Sequence, residues 1–272
     1  IHHNAEVNDK LFLSVQKDML PLVGNVDDIY SVLSDNEVID GDLFVVPSTP
    51  AFVSGAHSEY LCSPRIDNLT SVYASLKALI GSDGDGIQIA CCFDNEEIGS
   101  LTKQGANSAL LENTLRFIMR SVGGTEEDFA AAVSDGYILS VDNAHAVHPA
   151  HPEKSDPVEK VVMNGGIVIK HHTNYSTDAL SSAILKTILD KACVKYQDYY
   201  NNSDIRCGGT IGLMTSARLN MRACDIGLAQ LAMHSGIETV GLSDVPVMES
   251  CIKAFFSTTL SVDGANTEIS VK

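Results

Sequence analysis

The chain has 272 residues, 44% of them hydrophobic, and a formal net charge of −17 at pH 7. That length and apolar content suffice for a full buried core and exceed the usual size of one domain, while the acidity argues against nucleic-acid or anionic-membrane partners. No apolar run approaches the roughly 20 residues of a membrane span, no basic, apolar-cored leader opens the chain, and seven cysteines without paired CxxC spacing read as reduced thiols of a cytoplasmic protein.

In chain order, residues 1–60 mix a helical stretch near Val26–Leu33 with a strand-like run at Asp42–Pro47, and they hold no cluster of ligand-type residues. From about residue 61 the pattern becomes strand-then-helix. Leu69, Val72, Tyr73, Leu76, Leu79 and Ile80 recur at helical spacing behind Asp67, with Asn68 suited to cap that helix. Ile87–Phe93 and Tyr137–Val141 read as buried strands ending at Asp94 and Asp142. Gly166–Ile169 ends at Lys170, before a helix expected over Thr177–Val194. Met221–Ile226 is strand-like, and a helix over Val245–Leu260 closes the chain. Alternation of this kind predicts an α/β sandwich with a largely parallel sheet, in which ligands gather outside the carboxyl ends of the strands.

Four islands lie at such ends: Ser63-Pro64-Arg65-Ile66-Asp67-Asn68, Asp94-Asn95-Glu96-Glu97-Ile98-Gly99, Asp142-Asn143-Ala144-His145-Ala146-Val147-His148-Pro149, and Ala232-Met233-His234-Ser235. Singly, each has a bland reading. Asp67 suits the N-terminal dipole of a helix, Asp142 suits a solvated strand terminus, and His234 suits a core histidine. Adjacent Glu96 and Glu97 are harder to dismiss, because neighbouring carboxylates repel unless a cation or a proton divides their roles. One would ligate a metal and the other would take a proton from water. Together the islands fit a site for two divalent cations.

On these residues the chain resembles the aspartyl aminopeptidase family of co-catalytic zinc exopeptidases. The segments Met19–Gly24, Asn164–Lys170, Cys207–Gly212 and Gln230–Ser235 are similar to family segments as well. The resemblance implies a zinc-exopeptidase-like three-layer α/β sandwich with a mixed, largely parallel sheet over residues 61–272. It also implies a smaller β-rich oligomerisation domain over 1–60, within a tetrahedral dodecamer. Two metal ions per subunit would be zinc, with manganese or cobalt as substitutes. Asp67 would bridge them, Glu97 and His234 would complete one, and Asp142 would serve the other. Glu96 would be the general base. His145, Lys170, Tyr175 and His2 would contact a peptide bearing N-terminal Asp or Glu, with Lys170 pairing with its acidic side chain and His2 reaching a neighbouring subunit.

The resemblance also implies a further ligating histidine in an N-terminal His-Thr-Asp-like motif, and nothing in this chain resembles it. The chain therefore reads as the C-terminal three-fifths of a longer enzyme, inactive alone. Two alternatives stand beside that reading: a metalloaminopeptidase of other specificity on the same fold, and a non-catalytic assembly or regulatory subunit.

Overall fold

The computed structural model describes residues 12–263 and 266–271. His2, with the neighbouring Glu6-Val7-Asn8 pattern, lies outside the described residues. The chain divides into two compact units, with the boundary between Ser48 and Thr49. In the first unit, two single-turn helices, α1 (Val15–Asp18) and α2 (Tyr30–Leu33), are joined by irregular chain, and no described residue is buried. The strand expected at Asp42–Pro47 does not form, and Phe44 and Val45 are exposed. A strand needs a ladder partner for its backbone groups, and the described residues of this unit offer none. The helix expected from Val26 is confined to α2 for want of an apolar surface to pack on.

The second unit contains two main sheets. The larger-stranded one has the order β1-β2-β9-β8-β4. Its strands are β1 (Phe52–Ser54), β2 (Tyr60–Ser63), β4 (Ala144–His145), β8 (Ala229–Leu231) and β9 (Glu238–Gly241). The second, β3-β7-β5-β6, is built from β3 (Tyr137–Val141), β5 (Ile167–His171), β6 (Tyr196–Tyr200) and β7 (Arg222–Gly227). Here β3 runs parallel to β7 and β5 parallel to β6, while β5 and β7 are antiparallel, so the sheet is mixed.

Strand alternation assigns its two faces. Cys224 and Ile226 of β7 and Ile167 and Ile169 of β5 enter a core with residues of α3 (Ile66–Ile80), α6 (Ala179–Lys191) and α8 (Asp244–Phe256). Asp225 points the other way, toward α7 (Gly212–Leu219), where a side chain on Gly212 would collide with its carboxylate. Helix, sheet and helix form the three layers. The sequence reading and the structure agree closely on β3, β5, β7 and α6. Two further helices, α4 (Leu110–Ser121) and α5 (Glu126–Asp135), precede β3, and β10 (Thr258–Asp263) and β11 (Asn266–Val271) form a terminal hairpin.

Three local expectations fail, and the buried side of α3 is not its apolar stripe. Ile87–Phe93 has no strand pairing among the described residues; it lines a cavity of about 790 Å³ beside β3. Residues 258–260 leave the final helix for β10, where Thr258 and Thr259 favour extended chain. On α3 the buried side is Ile66, Thr70, Ser71, Ala74 and Ala78, while Leu69, Tyr73, Leu76 and Ile80 are exposed. Small residues let α3 lie close to α8, and that contact outweighs the larger apolar stripe. Nor is Asn68 a cap. The helix starts after Arg65 in the left-handed region, and Asp67 and Asn68 form a non-helical kink with a cis peptide between them.

Candidate metal centre

That kink turns Asp67 out of the helical path. The backbone N–H of Asp67 donates to Glu238 Oε2 at 2.8 Å, and Asn68 Nδ2 donates to the Val141 carbonyl at 2.6 Å. Asp67 is thereby moored to β9 and to the end of β3. Glu96 and Glu97 occupy a single 3-10 turn, Glu96–Ile98, flanked by left-handed Asn95 and Gly99. Its form is set by Asn95 Nδ2 donating to Thr102 Oγ1 at 2.9 Å and by Gly99 N–H donating to the Glu96 carbonyl at 2.9 Å. His234 lies in the tight turn between β8 and β9, with Ala232 and His234 both left-handed. Asp142 follows β3, its N–H donating to the Ile226 carbonyl at 2.8 Å.

These loops converge. His234 Nε2 is 3.2 Å from Asp67 Oδ2 and 3.0 Å from Glu97 Oε1. One ligand atom from each of Asp67, Glu97 and His234 lies within 4.8 Å of the others. Asp67 is nearly enclosed, its side chain 5% exposed, whereas Glu97 and His234 face solvent. Burial, then the Asp142 carboxylate beside it, then Glu97 and Glu238 push the Asp67 carboxyl up to about 7. Burial, Asp142 and Glu97 likewise push Glu96 up to about 7, against smaller lowering by Lys170 and His234. Burial works to lower the His234 imidazole, but Glu97 and Asp67 outweigh it and raise it above its ordinary value.

The donor set fits a metal ion. Asp67, Glu97 and Asp142 bring like charges together, which a cation relieves, and Asp67 Oδ1 is buried with no hydrogen-bond partner. Imidazole with carboxylates is a donor mixture suited to zinc. Asp142 lies against Asp67 but sends Oδ2 to Lys170 Nζ at 3.1 Å, and the three-residue cluster does not include it. Lys170 is buried and sits 5.3 Å from the Tyr175 ring centroid. Val168 faces the smaller core of Ala144, Ala146, Val161 and Ala229, and Lys170, two residues on, shares its side of β5. His145, on β4, has its imidazole pushed below its ordinary value by desolvation of the charged form and then by Lys170 and His234. Tyr175 accepts a hydrogen bond from Cys207 Sγ at 3.3 Å, and its phenol is held above its usual range chiefly by burial.

A family model described as aminopeptidase I zinc metalloprotease (M18) matches residues 3–256. The chain belongs to the M18 family. Among curated M18 relatives, a probable M18 family aminopeptidase 2 of Clostridium novyi is 38% identical over 273 residues, covering 94% of this chain and 63% of the relative. One of Mycobacterium leprae is 38% identical, over 82% of this chain and 53% of the relative. The chain thus spans less than two-thirds of the length of these M18 relatives. Among solved structures, the Ape4–Nbr1 complex matches with a TM-score of 0.71 at 32% identity, over 76% of this chain and 41% of that one. The S. cerevisiae mApe1 dodecamer matches with a TM-score of 0.65 at 29% identity, over 76% of this chain and 48% of that one. The mixed α/β fold expected from the sequence is the fold of these M18 structures.

Two features of the site were not legible in the sequence. Glu238 is absent from the ligand reading, because its partners are backbone amides, which no sequence pattern marks. Asn143 is the other. Its Nδ2 donates to the Ile66 carbonyl, Thr70 Oγ1 and Gln230 Oε1, and its Oδ1 accepts from Leu228 N–H, locking three segments behind the ligands.

Proposed function

We propose that the chain forms most of the active site of a zinc aminopeptidase that removes N-terminal Asp, and Glu, from peptides. The observation that carries the reading is the cluster of Asp67, Glu97 and His234 with the perturbed Glu96 carboxyl beside it. Glu97 and His234 would hold one ion, Asp142 a second, and Asp67 would touch both, in keeping with its position between the His234 pair and Asp142. Zinc bound there supplies Lewis-acid polarisation of the scissile carbonyl and a lowered pKa for water.

The rest is work for this chain's own side chains. Glu96 stands free of the ligand cluster and takes a proton from the attacking water at a carboxylate oxygen. It then gives that proton to the leaving amine. His145, its imidazole held below its ordinary value by desolvation and by Lys170 and His234, donates toward the carbonyl oxygen as charge develops there. Lys170 provides the cation for an acidic substrate side chain, with the Tyr175 ring closing one side. It holds Asp142 in the absence of that carboxylate, so one ammonium serves both acids. We further propose that residues 1–60 contribute to a dodecamer, as in the mApe1 neighbour, and that the whole works in the cytoplasm. Full activity is proposed to need a longer polypeptide that supplies one more ligand.

The test is hydrolysis of Asp-, Glu- and Leu-anilides with zinc, manganese or cobalt, by this chain and by a version extended at its N-terminus. Acid-selective turnover in the extended form alone supports the reading in full. Leu preference would remove the specificity claim, and turnover by the purified 272-residue chain would remove the claim of dependence. Absence of turnover and of metal in both would favour a non-catalytic subunit.

A further inference from the structure

Glu238 is nearly inaccessible, 2% exposed, and is not one of the clustered ligands. Both of its carboxylate oxygens are used. Oε2 accepts the backbone N–H of Asp67 at 2.8 Å, and Oε1 accepts the backbone N–H of His234 at 2.6 Å. These two residues are far apart in sequence, and each belongs to the cluster that would hold zinc. The sheet explains the placement. Glu238 opens β9 opposite Ser63 at the end of β2, so it stands where the chain leaves β2 for Asp67 and where the β8–β9 turn presents His234.

Both moored segments are backbones that would not keep this form unaided. Arg65, Ala232 and His234 all adopt left-handed φ values, of 57°, 58° and 65°. Non-glycine residues hold that conformation only where their surroundings over-determine it. Inside the β8–β9 turn, one further backbone bond, Ser235 N–H to the Ala232 carbonyl at 3.0 Å, closes the loop. The backbone N–H of His234 is held by Glu238 at the start of β9, and through Glu238 it is joined to the backbone of Asp67. Here a single carboxyl group accepts both N–H donors, one at each oxygen.

We infer that Glu238 is a positioning residue for the metal centre: its carboxylate clamps the backbones of Asp67 and His234 together, fixing the distance between those ligands before metal arrives. This rests on the metal-binding reading above. Groups that orient ligands in this way typically contribute 10- to 100-fold to metal affinity. Glutamine has the same shape, but its amide can accept from only one of the two N–H groups and turns an N–H toward the other.

The experiment measures zinc affinity of the full chain by competition with a chromogenic chelator, and the visible spectrum with Co2+, for wild type, Glu238→Gln and Asp244→Asn. Asp244 is the control. It is equally buried and also accepts two backbone N–H groups, from Asn164 at 2.5 Å and Gly166 at 2.9 Å, neither of which is a site residue. The expected result is a zinc Kd raised roughly 10- to 100-fold in Glu238→Gln with an altered Co2+ band, and a wild-type Kd and band in Asp244→Asn. Unchanged affinity in Glu238→Gln, or equal losses in both variants, would overturn the clamp. A wild-type chain that binds neither ion would instead remove the metal-binding reading itself. Amide hydrogen exchange on the wild type covers the case in which a variant does not fold. Slow exchange at Asp67 and His234 is expected, and unprotected exchange at both refutes the clamp.

Discussion

Replacing Asp67 with Asn should stabilise the metal-free protein while destroying its affinity for zinc. Asp67 is nearly enclosed, with Oδ1 unpartnered, and lies against Asp142. Its carboxyl is raised from 3.8 to about 7, first by burial and then by Asp142 and Glu97. The folded state therefore holds that proton more tightly than the unfolded chain does. The contribution to stability is fully present below about pH 3.8 and is lost as pH rises through about 7. At pH 8 the ionised group costs the fold on the order of a few kcal/mol, at about 1.4 kcal/mol per tenfold change in proton affinity. Asn removes that cost, keeps the volume and donates an N–H toward Asp142. What it forfeits is the pair with His234, whose side chain is 59% exposed, and such pairs are worth about 1 kcal/mol or less. The gain exceeds the loss. With zinc chelated, Tm should rise by about 5 °C or more at pH 8 and change little at pH 4. Zinc should raise the Tm of the wild type and leave Asp67→Asn unmoved. A lower Tm for Asp67→Asn at pH 8, or zinc stabilisation equal to that of the wild type, would refute the reasoning.

Other consequences are as direct. Glu96→Gln should retain metal and lose roughly 100- to 10,000-fold in kcat on Asp-anilide, the usual range for a general base; loss of metal would make Glu96 a ligand instead. Lys170→Met should cut kcat/KM for Asp-anilide far more than for Leu-anilide, with equal losses counting against a specificity role. Zinc must displace the protons of Asp67 and His234, both raised in the metal-free fold, so zinc Kd should worsen as pH falls below about 7, roughly tenfold per pH unit for each proton displaced. A Kd flat between pH 8 and pH 6 would contradict the crowding of these groups. Ala74→Leu, at the fully buried close face of α3, should cost about 1–3 kcal/mol in denaturant unfolding through overpacking; no change would mean that α3 and α8 are not in tight contact.

The legible part of this chain is the part whose chemistry is local. Tyr137–Val141, Ile167–His171 and Arg222–Gly227 are short, largely apolar runs paired in one sheet, and Asp142 stands at the end of the first in the structure as in the sequence. Asp67, Glu97 and His234 do meet. What failed depended on partners distant in the chain. The apolar stripe of α3 identifies a helix but not its buried side, because Ala74 and Ala78 matter through the closeness of α8. Ile87–Phe93 has strand composition, yet a strand also requires a neighbour to bond to, and none is found among the described residues. Glu238 escaped notice for a related reason. Its partners are backbone amides, which leave no mark in a sequence pattern, and the register that brings them together is set by β2 meeting β9.

X-ray absorption at the zinc edge of the loaded chain reads out whether Asp67, Glu97 and His234 hold zinc. Zinc held by these residues gives nitrogen and oxygen neighbours at about 2.0–2.2 Å with the outer-shell pattern of one imidazole, lost in His234→Ala. Sulfur at about 2.3 Å, pointing to the exposed Cys91 and Cys92, or a spectrum indifferent to His234→Ala, would contradict it.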